Sequence, residues 1–317
     1  METGNVILSV VIPAYNCQDT IIGLLDSIAQ QGIENYEVIA VNDGSRDDTL
    51  AVLNEKSKTM SELRVLDKPN EGAPKARNLG MSQARGEYIY LCDADDLVYP
   101  GALQKMLDYA EENQLDVVVA NVCHKGANGE EHVYKSVVER FERLGPDKYY
   151  FSDPIPGTKL FRREFLQSKG IVFDPVRIGQ DLNFYTKAVS STDKIGWLDE
   201  TVYIYQTSFS GISKTYKLET LMNIRNSIDG IVAYCKQKGF YTKEREDAIE
   251  CVKMANYLWQ LKKKKNMRKE DFTVLRKELC GEVDLKRVKK SKYAAYMRVT
   301  IIEFTLVKKF GLVLRNI

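Results

Sequence analysis

No stretch of about 18 uncharged apolar residues occurs in the chain, so nothing in it is expected to span a bilayer. No Gly-x-Gly-x-x-Gly follows the first apolar run, which continues as Pro13-Ala14-Tyr15-Asn16-Cys17. A dinucleotide-binding dehydrogenase is excluded with it. The Gly-x-x-x-x-Gly-Lys-Ser/Thr loop is also missing, which removes the P-loop nucleotide hydrolases. Six cysteines (Cys17, Cys92, Cys123, Cys235, Cys251, Cys280) lie far apart without a Cys-x-x-Cys pair. That spacing argues against a disulfide framework or a zinc site and for a reducing compartment. The two histidines, His124 and His132, have no metal-site partners at helical or strand spacing and are expected at the surface. Met1–Asn5 hold Glu2 and no basic residue, and the apolar run after them, Val6–Ile12, is too short for a secretory leader; it reads as a strand. From Tyr216 onward there is no proline and little glycine, so that part is expected to be helical.

What remains is an ordinary soluble composition. The 317 residues are 44% hydrophobic and 28% charged, enough for one large or two moderate domains with real cores. The net charge of +2 is unevenly placed. Residues 285–317 hold nine Lys/Arg against the single acid Glu303, a net +8 that leaves −6 on residues 1–284.

The first 120 residues alternate two periods. Val6–Tyr15 is a continuous β-branched run, as expected for a strand buried on both faces. Ile21, Leu24, Leu25 and Ile28 then recur at helical spacing. Strand patterns return at Tyr36–Gly44, Leu63–Lys68, Glu87–Ala94 and Leu115–Val122, and helical ones at Asp48–Met60, Ala73–Arg85 and Pro100–Asn113. The order βαβαβαβαβ implies a mostly parallel sheet covered by helices. Ligands of such sheets bind beyond the carboxyl ends of the strands. Tyr15/Asn16, Asn42/Asp43 and Asp93–Asp96 all stand at such ends and should share one crevice. Residues 123–215 read as short strands with one helix, Arg162–Lys169.

Asp93, Asp95 and Asp96 pile negative charge on the tip of a buried strand. Such neighbours repel unless something positive sits between them. A hard divalent cation, which takes oxygen ligands, would explain the cluster; so would a solvated turn whose Asp95 and Asp96 cap the helix near Pro100. Asp43-Gly44 is a turn, with Asp47 or Asp48 a helix cap after it. Lys75 and Arg77 open a helix, either as an anion site or as solvated cations.

Taken together, Ser9–Asn16 (SVVIPAYN), Glu37–Thr49 (EVIAVNDGSRDDT), Asn70–Asp96 (NEGAPKARNLGMSQARGEYIYLCDADD) and Gly179–Phe184 (GQDLNF) stand in the order seen in family 2 glycosyltransferases of the GT-A fold, and the chain resembles that family over its first two-thirds. The resemblance implies an α/β, Rossmann-like mostly parallel sheet over residues 1–215, followed by a helical C-terminal domain, 216–317. It implies a base pocket at Pro13, Ala14, Tyr15 and Asn16, and a further base contact at Asp43. Lys75 and Arg77 would lie near the nucleotide. In the Asp-x-Asp element, Asp93 with Ala94 would face the nucleoside side and Asp95 a Mn²⁺ or Mg²⁺ ion. Asp181 would be the general base. The implied reaction is inverting transfer from a nucleotide sugar, a UDP-sugar, to a glycan or polyprenyl-diphosphate-linked acceptor in cell-surface polysaccharide synthesis. Three features depart from the family's pattern: Gln180 stands where Glu is usual, Gln206 stands where Arg is usual in the Tyr203–Ser213 segment (YIYQTSFSGIS) that otherwise resembles the family's, and no histidine lies downstream as an extra metal ligand. A silent GT-A-like module docked on a membrane glycan-assembly complex is the rival reading. A nucleotidyltransferase would need a Gly-rich loop after the first strand, which is absent.

In the basic tail, Val299, Ile302, Leu306, Phe310 and Val313 form one apolar helix face beside Arg298, Lys308, Lys309 and Arg315. This reads equally as a membrane-surface element or as a helix packed on its own domain. Relatives that work on lipid-linked saccharides at the cytoplasmic face favour the first. No nucleic-acid-binding motif accompanies the charge.

Overall fold

The computed structural model describes residues 6–126, 128–136, 139–206 and 217–311. Met1–Asn5, the Thr207–Ser213 part of the Tyr203–Ser213 segment, and Val313 and Arg315 of the tail lie outside them. The chain divides into two compact units. One takes Met1–Val138, Ser152–Pro175 and Ser191–Phe209; the other takes Glu139–Phe151, Val176–Ser190 and Ser210–Ile317.

The first unit is built on one sheet. Its first half is the alternation read from the sequence: β1 (Leu8–Ala14), α1 (Ile21–Ala29), β2 (Tyr36–Asp43), α2 (Thr49–Ser57), β3 (Leu63–Lys68), α3 (Ala73–Gln83) and β4 (Tyr88–Leu91). β1 pairs in parallel with β2 and β4, and β2 with β3. Both faces of β1 are covered, which is why the run is apolar throughout. Leu8, Val10 and Ile12 share a core with Ile21, Leu24, Leu25 and Ile28 of α1. On the other face, a Cβ added at Gly80 of α3 would stand 2.3 Å from Val11 Cγ1, so that helix sits directly on the strand.

Beyond β4 the topology changes. The elements are β5 (Leu97–Val98), α4 (Ala102–Glu112), β6 (Val117–Lys125), β7 (Glu131–Tyr134), β8 (Lys159–Arg162), α5 (Arg163–Lys169) and, after an excursion into the other unit, β9 (Ile195–Gln206). The strand order is β3-β2-β1-β4-β8-β6-β9-β5, with β7 on β6. β8 enters between β4 and β6 and runs antiparallel to both. β9 is parallel to β6 and antiparallel to the two-residue β5. The parallel sheet thus covers its first four strands and becomes mixed where β8 intervenes.

The second unit is helical: α6 (Gln180–Val189), α7 (Leu218–Met222), α8 (Ile224–Gln237), α9 (Lys243–Lys262), α10 (Lys269–Glu282), α11 (Leu285–Lys290) and α12 (Arg298–Phe310), with a 3-10 segment at Glu139–Phe151. α9 buries Ile249, Val252, Met254, Tyr257, Leu258 and Leu261, and α10 buries Phe272, Leu275 and Leu279. α12 packs on α9 and α10 through Ile301, Phe304 and Val307. Those are not the residues of the apolar stripe read from the sequence. Of that stripe, Val299, Ile302 and Phe310 are exposed and Leu306 is half-buried. The helix therefore has two apolar faces, one packed and one outward. All six cysteines are free and buried.

Candidate active site

The site residues of the sheet unit sit at the carboxyl ends of β1, β2 and β4, on the loops that follow them and in the first turns of α3, and side chains fasten these loops to one another. Pro13 and Ala14 end β1. Tyr15 follows, 44% exposed, then Asn16 with φ 49°, a left-handed conformation that asparagine tolerates. The Asn16 N–H donates to Ser45 Oγ (3.1 Å), and the Arg46 N–H donates back to Asn16 Oδ1 (2.8 Å). The Cys17 N–H reaches Thr49 Oγ1 and the Asp48 N–H reaches Gln18 Oε1, both at 2.8 Å. Thr20 Oγ1 donates to the Ala94 carbonyl at 2.9 Å, which ties the β1 loop to the β4 loop. The first two loops thus form one zipped ledge. Asp47 belongs to it, accepting from the N–H groups of Thr49 and Gln18.

Asp43, 2% exposed, closes β2. Its Oδ1 accepts from Lys68 Nζ (2.6 Å) and the Glu71 N–H (3.0 Å), and its Oδ2 from the Gly72 N–H (2.7 Å). Gly72 has φ +94°, the turn that starts α3. Asp43 thereby fixes where α3 begins. Within its first turns, Lys75 pairs with Glu71 at the surface (2.5 Å) while Arg77 is buried. Arg77 Nη2 meets Asp93 Oδ1 at 2.5 Å, and its guanidinium lies over the Phe173 ring, 5.1 Å from the centroid.

The three carboxylates of the β4 loop have different surroundings. Asp93 is paired with Arg77, and its N–H donates to Tyr203 Oη (3.1 Å). Asp96, 2% exposed, accepts from Tyr203 Oη (2.7 Å) and the Gln206 N–H (2.7 Å). Burial, with the Asp93 charge adding to it, pushes the Asp96 carboxyl up to about 8 against those two bonds. Asp95 is half-buried, and its carbonyl accepts from Gln206 Nε2 at 2.9 Å. The helix-cap alternative does not hold: the residue capping α4 is Gly101, with no side-chain cap bond. Among the described residues, no group of three or more His, Cys, Asp or Glu side chains gathers as a self-sufficient metal site.

Asp181 belongs to the helical unit, in the first turn of α6. The helix starts at Gly179 (φ +75°), where an added Cβ would stand 2.7 Å from Ile224 Cδ1 and 2.8 Å from Ser227 Oγ of α8. Asn183 Nδ2 donates to the Ser227 carbonyl (2.8 Å). Asp181 thus lies in a helix start locked to its neighbour. Beside it, Gln180 Oε1 is buried and meets no hydrogen-bond partner among the described residues.

Sequence reasoning missed Tyr203, which holds Asp93 and Asp96 together. It also missed Lys68, Phe173 and Gly157, whose missing side chain leaves room for the Tyr203 ring: an added Cβ would stand 2.1 Å from it. Their roles depend on partners brought close only by the fold, Asp43 for Lys68, Arg77 for Phe173 and Tyr203 for Gly157. For Tyr203 the only signal was its place at the start of the Tyr203–Ser213 segment. His124 is half-buried between Tyr134 and Tyr205, whereas His132 is exposed as expected.

The profile of glycosyl transferase family 2 matches residues 9–169. A poly(ribitol-phosphate) beta-glucosyltransferase of Bacillus spizizenii is 32% identical over 79% of this chain. The match covers only 39% of that enzyme's length. Among solved structures, S. aureus TarS 1–349 in complex with UDP-GlcNAc superposes with a TM-score of 0.72 at 22% identity, covering 96% of this chain and 90% of that one. A Pyrobaculum calidifontis mannosyltransferase in complex with GDP-Man and Mn²⁺ gives 0.57 at 16% identity, over 96% and 87%. Both structural likenesses carry the GT-A fold.

Proposed function

The chain belongs to glycosyl transferase family 2, and from that premise we propose that it moves a sugar from a UDP-sugar to a hydroxyl of a glycan or lipid-linked saccharide, inverting the anomeric centre. The observation that carries this reading is the division of labour in the β4 loop. Asp96 anchors β9 and Asp93 pairs with Arg77, and the cation is assigned to Asp95, half-buried on the same turn. Mn²⁺ and Mg²⁺ favour oxygen donors and often combine one or two protein carboxylates with substrate phosphates. The residues present fit that pattern, with Asp95 as the protein ligand. The ion would supply Lewis-acid stabilisation of charge on the departing diphosphate.

The protein's own groups do the rest. Tyr15 offers an exposed ring beside the zipped ledge for the uracil, flanked by Pro13, Ala14 and Asn16. Asp43 already uses three of its roughly four acceptor sites on Lys68, Glu71 and Gly72, so any base contact draws on the fourth. Arg77 holds the Asp93 carboxylate in place for the ribose, and Lys75 adds surface charge near the phosphates. Asp181 takes the acceptor proton, a role typically contributing about 10²–10⁴-fold. UDP-GlcNAc in the TarS complex supports a UDP-sugar donor, and the poly(ribitol-phosphate) beta-glucosyltransferase supports a polymeric acceptor.

The test is a thermal-shift titration with UDP, with and without Mn²⁺, beside an assay of sugar transfer. A ligand that binds only the folded state raises the melting temperature. We expect Asp95→Ala to lose the Mn²⁺-dependent part of the UDP shift while melting normally without ligand. Asp181→Asn should keep the shift and lose transfer, a kcat defect. An undiminished Mn²⁺-dependent shift in the first variant, or near-normal turnover in the second, refutes the corresponding role. Wild type that binds UDP but transfers nothing to any saccharide would indicate the silent docking module.

Peripheral attachment to the inner face of the cell membrane is supported by α12. No helix among the described residues is long and apolar enough to cross a membrane. The outward stripe Val299, Ile302 and Phe310, beside exposed Arg298, Lys308 and Lys309, has the character of an interfacial helix.

A further inference from the structure

The sheet unit carries a row of three rings that none of the roles above uses. β6, β7 and β9 lie side by side, with Val122 opposite both Tyr134 and Tyr203, and His124 opposite both His132 and Tyr205. Side chains two apart on a strand share a face. Tyr134, His124 and Tyr205 therefore stand on the face that also carries Tyr203. The ring centroids are 4.7 Å apart from Tyr134 to His124 and 5.1 Å from His124 to Tyr205. The row begins at the exposed edge, where Tyr134 is 52% accessible, and runs inward. It ends one residue before Gln206, which bonds Asp96 and the Asp95 carbonyl.

Cross-strand ring pairs can do no more than stabilise a hairpin. Two features point further. The first is continuity: the row leads from solvent to the turn that bears Asp95. The second is charge. The neighbouring cations are already matched, Lys125 with Glu131 (3.2 Å) and Lys135 with Asp199 (2.9 Å), while burial lowers the His124 imidazole and so favours its neutral form. A neutral imidazole offers one donor and one acceptor, a good match for sugar hydroxyls. The C–H faces of sugar rings stack on aromatic rings, whereas a polyanion such as a polyol phosphate would seek unpaired cations.

On the glycosyl-transfer reading above, we propose that Tyr134, His124 and Tyr205 form an acceptor platform, on which the terminal rings of a neutral saccharide stack. The two steps along the row match the footprint of a short oligosaccharide rather than a single sugar.

The experiment has two arms on the full chain. The first is saturation-transfer NMR with neutral disaccharides (cellobiose and chitobiose) and with a ribitol-phosphate oligomer, with no donor present. The second measures UDP release from UDP-GlcNAc with Mn²⁺, with and without the disaccharide that binds. Tyr134→Ala should weaken disaccharide binding and raise the acceptor KM by about tenfold, the worth of one lost ring contact, with kcat little changed. Acceptor-independent UDP release should be unaltered. Tyr134→Phe should restore both binding and KM, which a hydrogen-bonding role of the hydroxyl would not, and an unchanged melting temperature of Tyr134→Ala separates stacking on the saccharide from a folding role. Unchanged disaccharide binding in Tyr134→Ala overturns the platform, as does a wild type that binds only the ribitol-phosphate oligomer. If wild type releases no UDP yet binds the disaccharide through Tyr134, the platform stands and the transfer reading falls.

Discussion

Glu37, at the start of β2, is 3% exposed and carries four bonds. Its Oε1 accepts from Ser9 Oγ (2.7 Å) and the Arg85 N–H (2.7 Å), and its Oε2 from Arg85 Nη2 (2.9 Å) and Nε (3.1 Å). Burial by itself would raise this carboxyl, but the bonds from Arg85 and Ser9 outweigh it and hold the group below its ordinary value. A carboxylate lowered in the folded state stabilises the fold above its unfolded pKa, about 4.3 for Glu. That contribution disappears as pH falls through the folded value. Arg85 is largely exposed, so the bonds to the backbone N–H and Ser9 carry most of the effect. Glu37→Gln should cost about 1–3 kcal/mol in urea unfolding at pH 7. The gap to wild type should narrow by pH 3. A gap independent of pH would show that the charge is not what matters there.

At the scale of elements, the seat of α3 on β1 sets the site. Val11 is fully buried beneath Gly80 and has no room to move. Gly80→Ala should cost about 1–3 kcal/mol as an overpacked core. Because α3 also carries Arg77, the same change should weaken UDP binding. Val11→Ala in the same chain should recover part of both losses, which a double-mutant cycle reads directly. Full recovery of stability without recovery of UDP binding would uncouple the helix seat from the site. This first half of the sheet was legible because each element there carries its own period: Ile21, Leu24, Leu25 and Ile28 mark α1 unaided, and β3 and the start of β2 fall where the pattern put them. β8 and β5 were not legible. β8 has four residues and β5 two, too short for a period, and their places are set by partners far along the chain. The carboxylates could be picked out by residue type, but the split in their duties could not. It depends on Tyr203 arriving 110 residues after Asp93, a contact no local pattern announces.

For the molecule as a whole, α12 decides how attachment should be tested. Deleting residues 285–317 would strip Ile301, Phe304 and Val307 from the helical core, so substitution of the outward stripe is the cleaner probe. The triple change Val299→Ser, Ile302→Ser, Phe310→Ser should leave melting within about 0.5 kcal/mol of wild type, as surface changes usually do. It should reduce co-sedimentation with anionic liposomes. Basic residues near such a surface are worth about 1 kcal/mol each, so the remaining binding should fade with salt. Wild type that stays in the supernatant at low salt would rule the attachment out.

The order in which the strands are joined also bears on the chain's birth. Domains form as they emerge from synthesis, N-terminal parts first. β1 to β4 can pair as soon as they appear, since every partner lies close behind. β6 cannot: its neighbours β8 and β9 come later, and between them the chain leaves for the other unit over Val176–Ser190. Until Gln206 is made, the run Val117–Ala120 presents an apolar strand with an open edge, the kind of template on which other chains aggregate. A nascent chain stalled between residues 126 and 206 would therefore be a natural client for chaperones, and the short span that brings Tyr203 to the carboxylates would be the same one that ends its need for them.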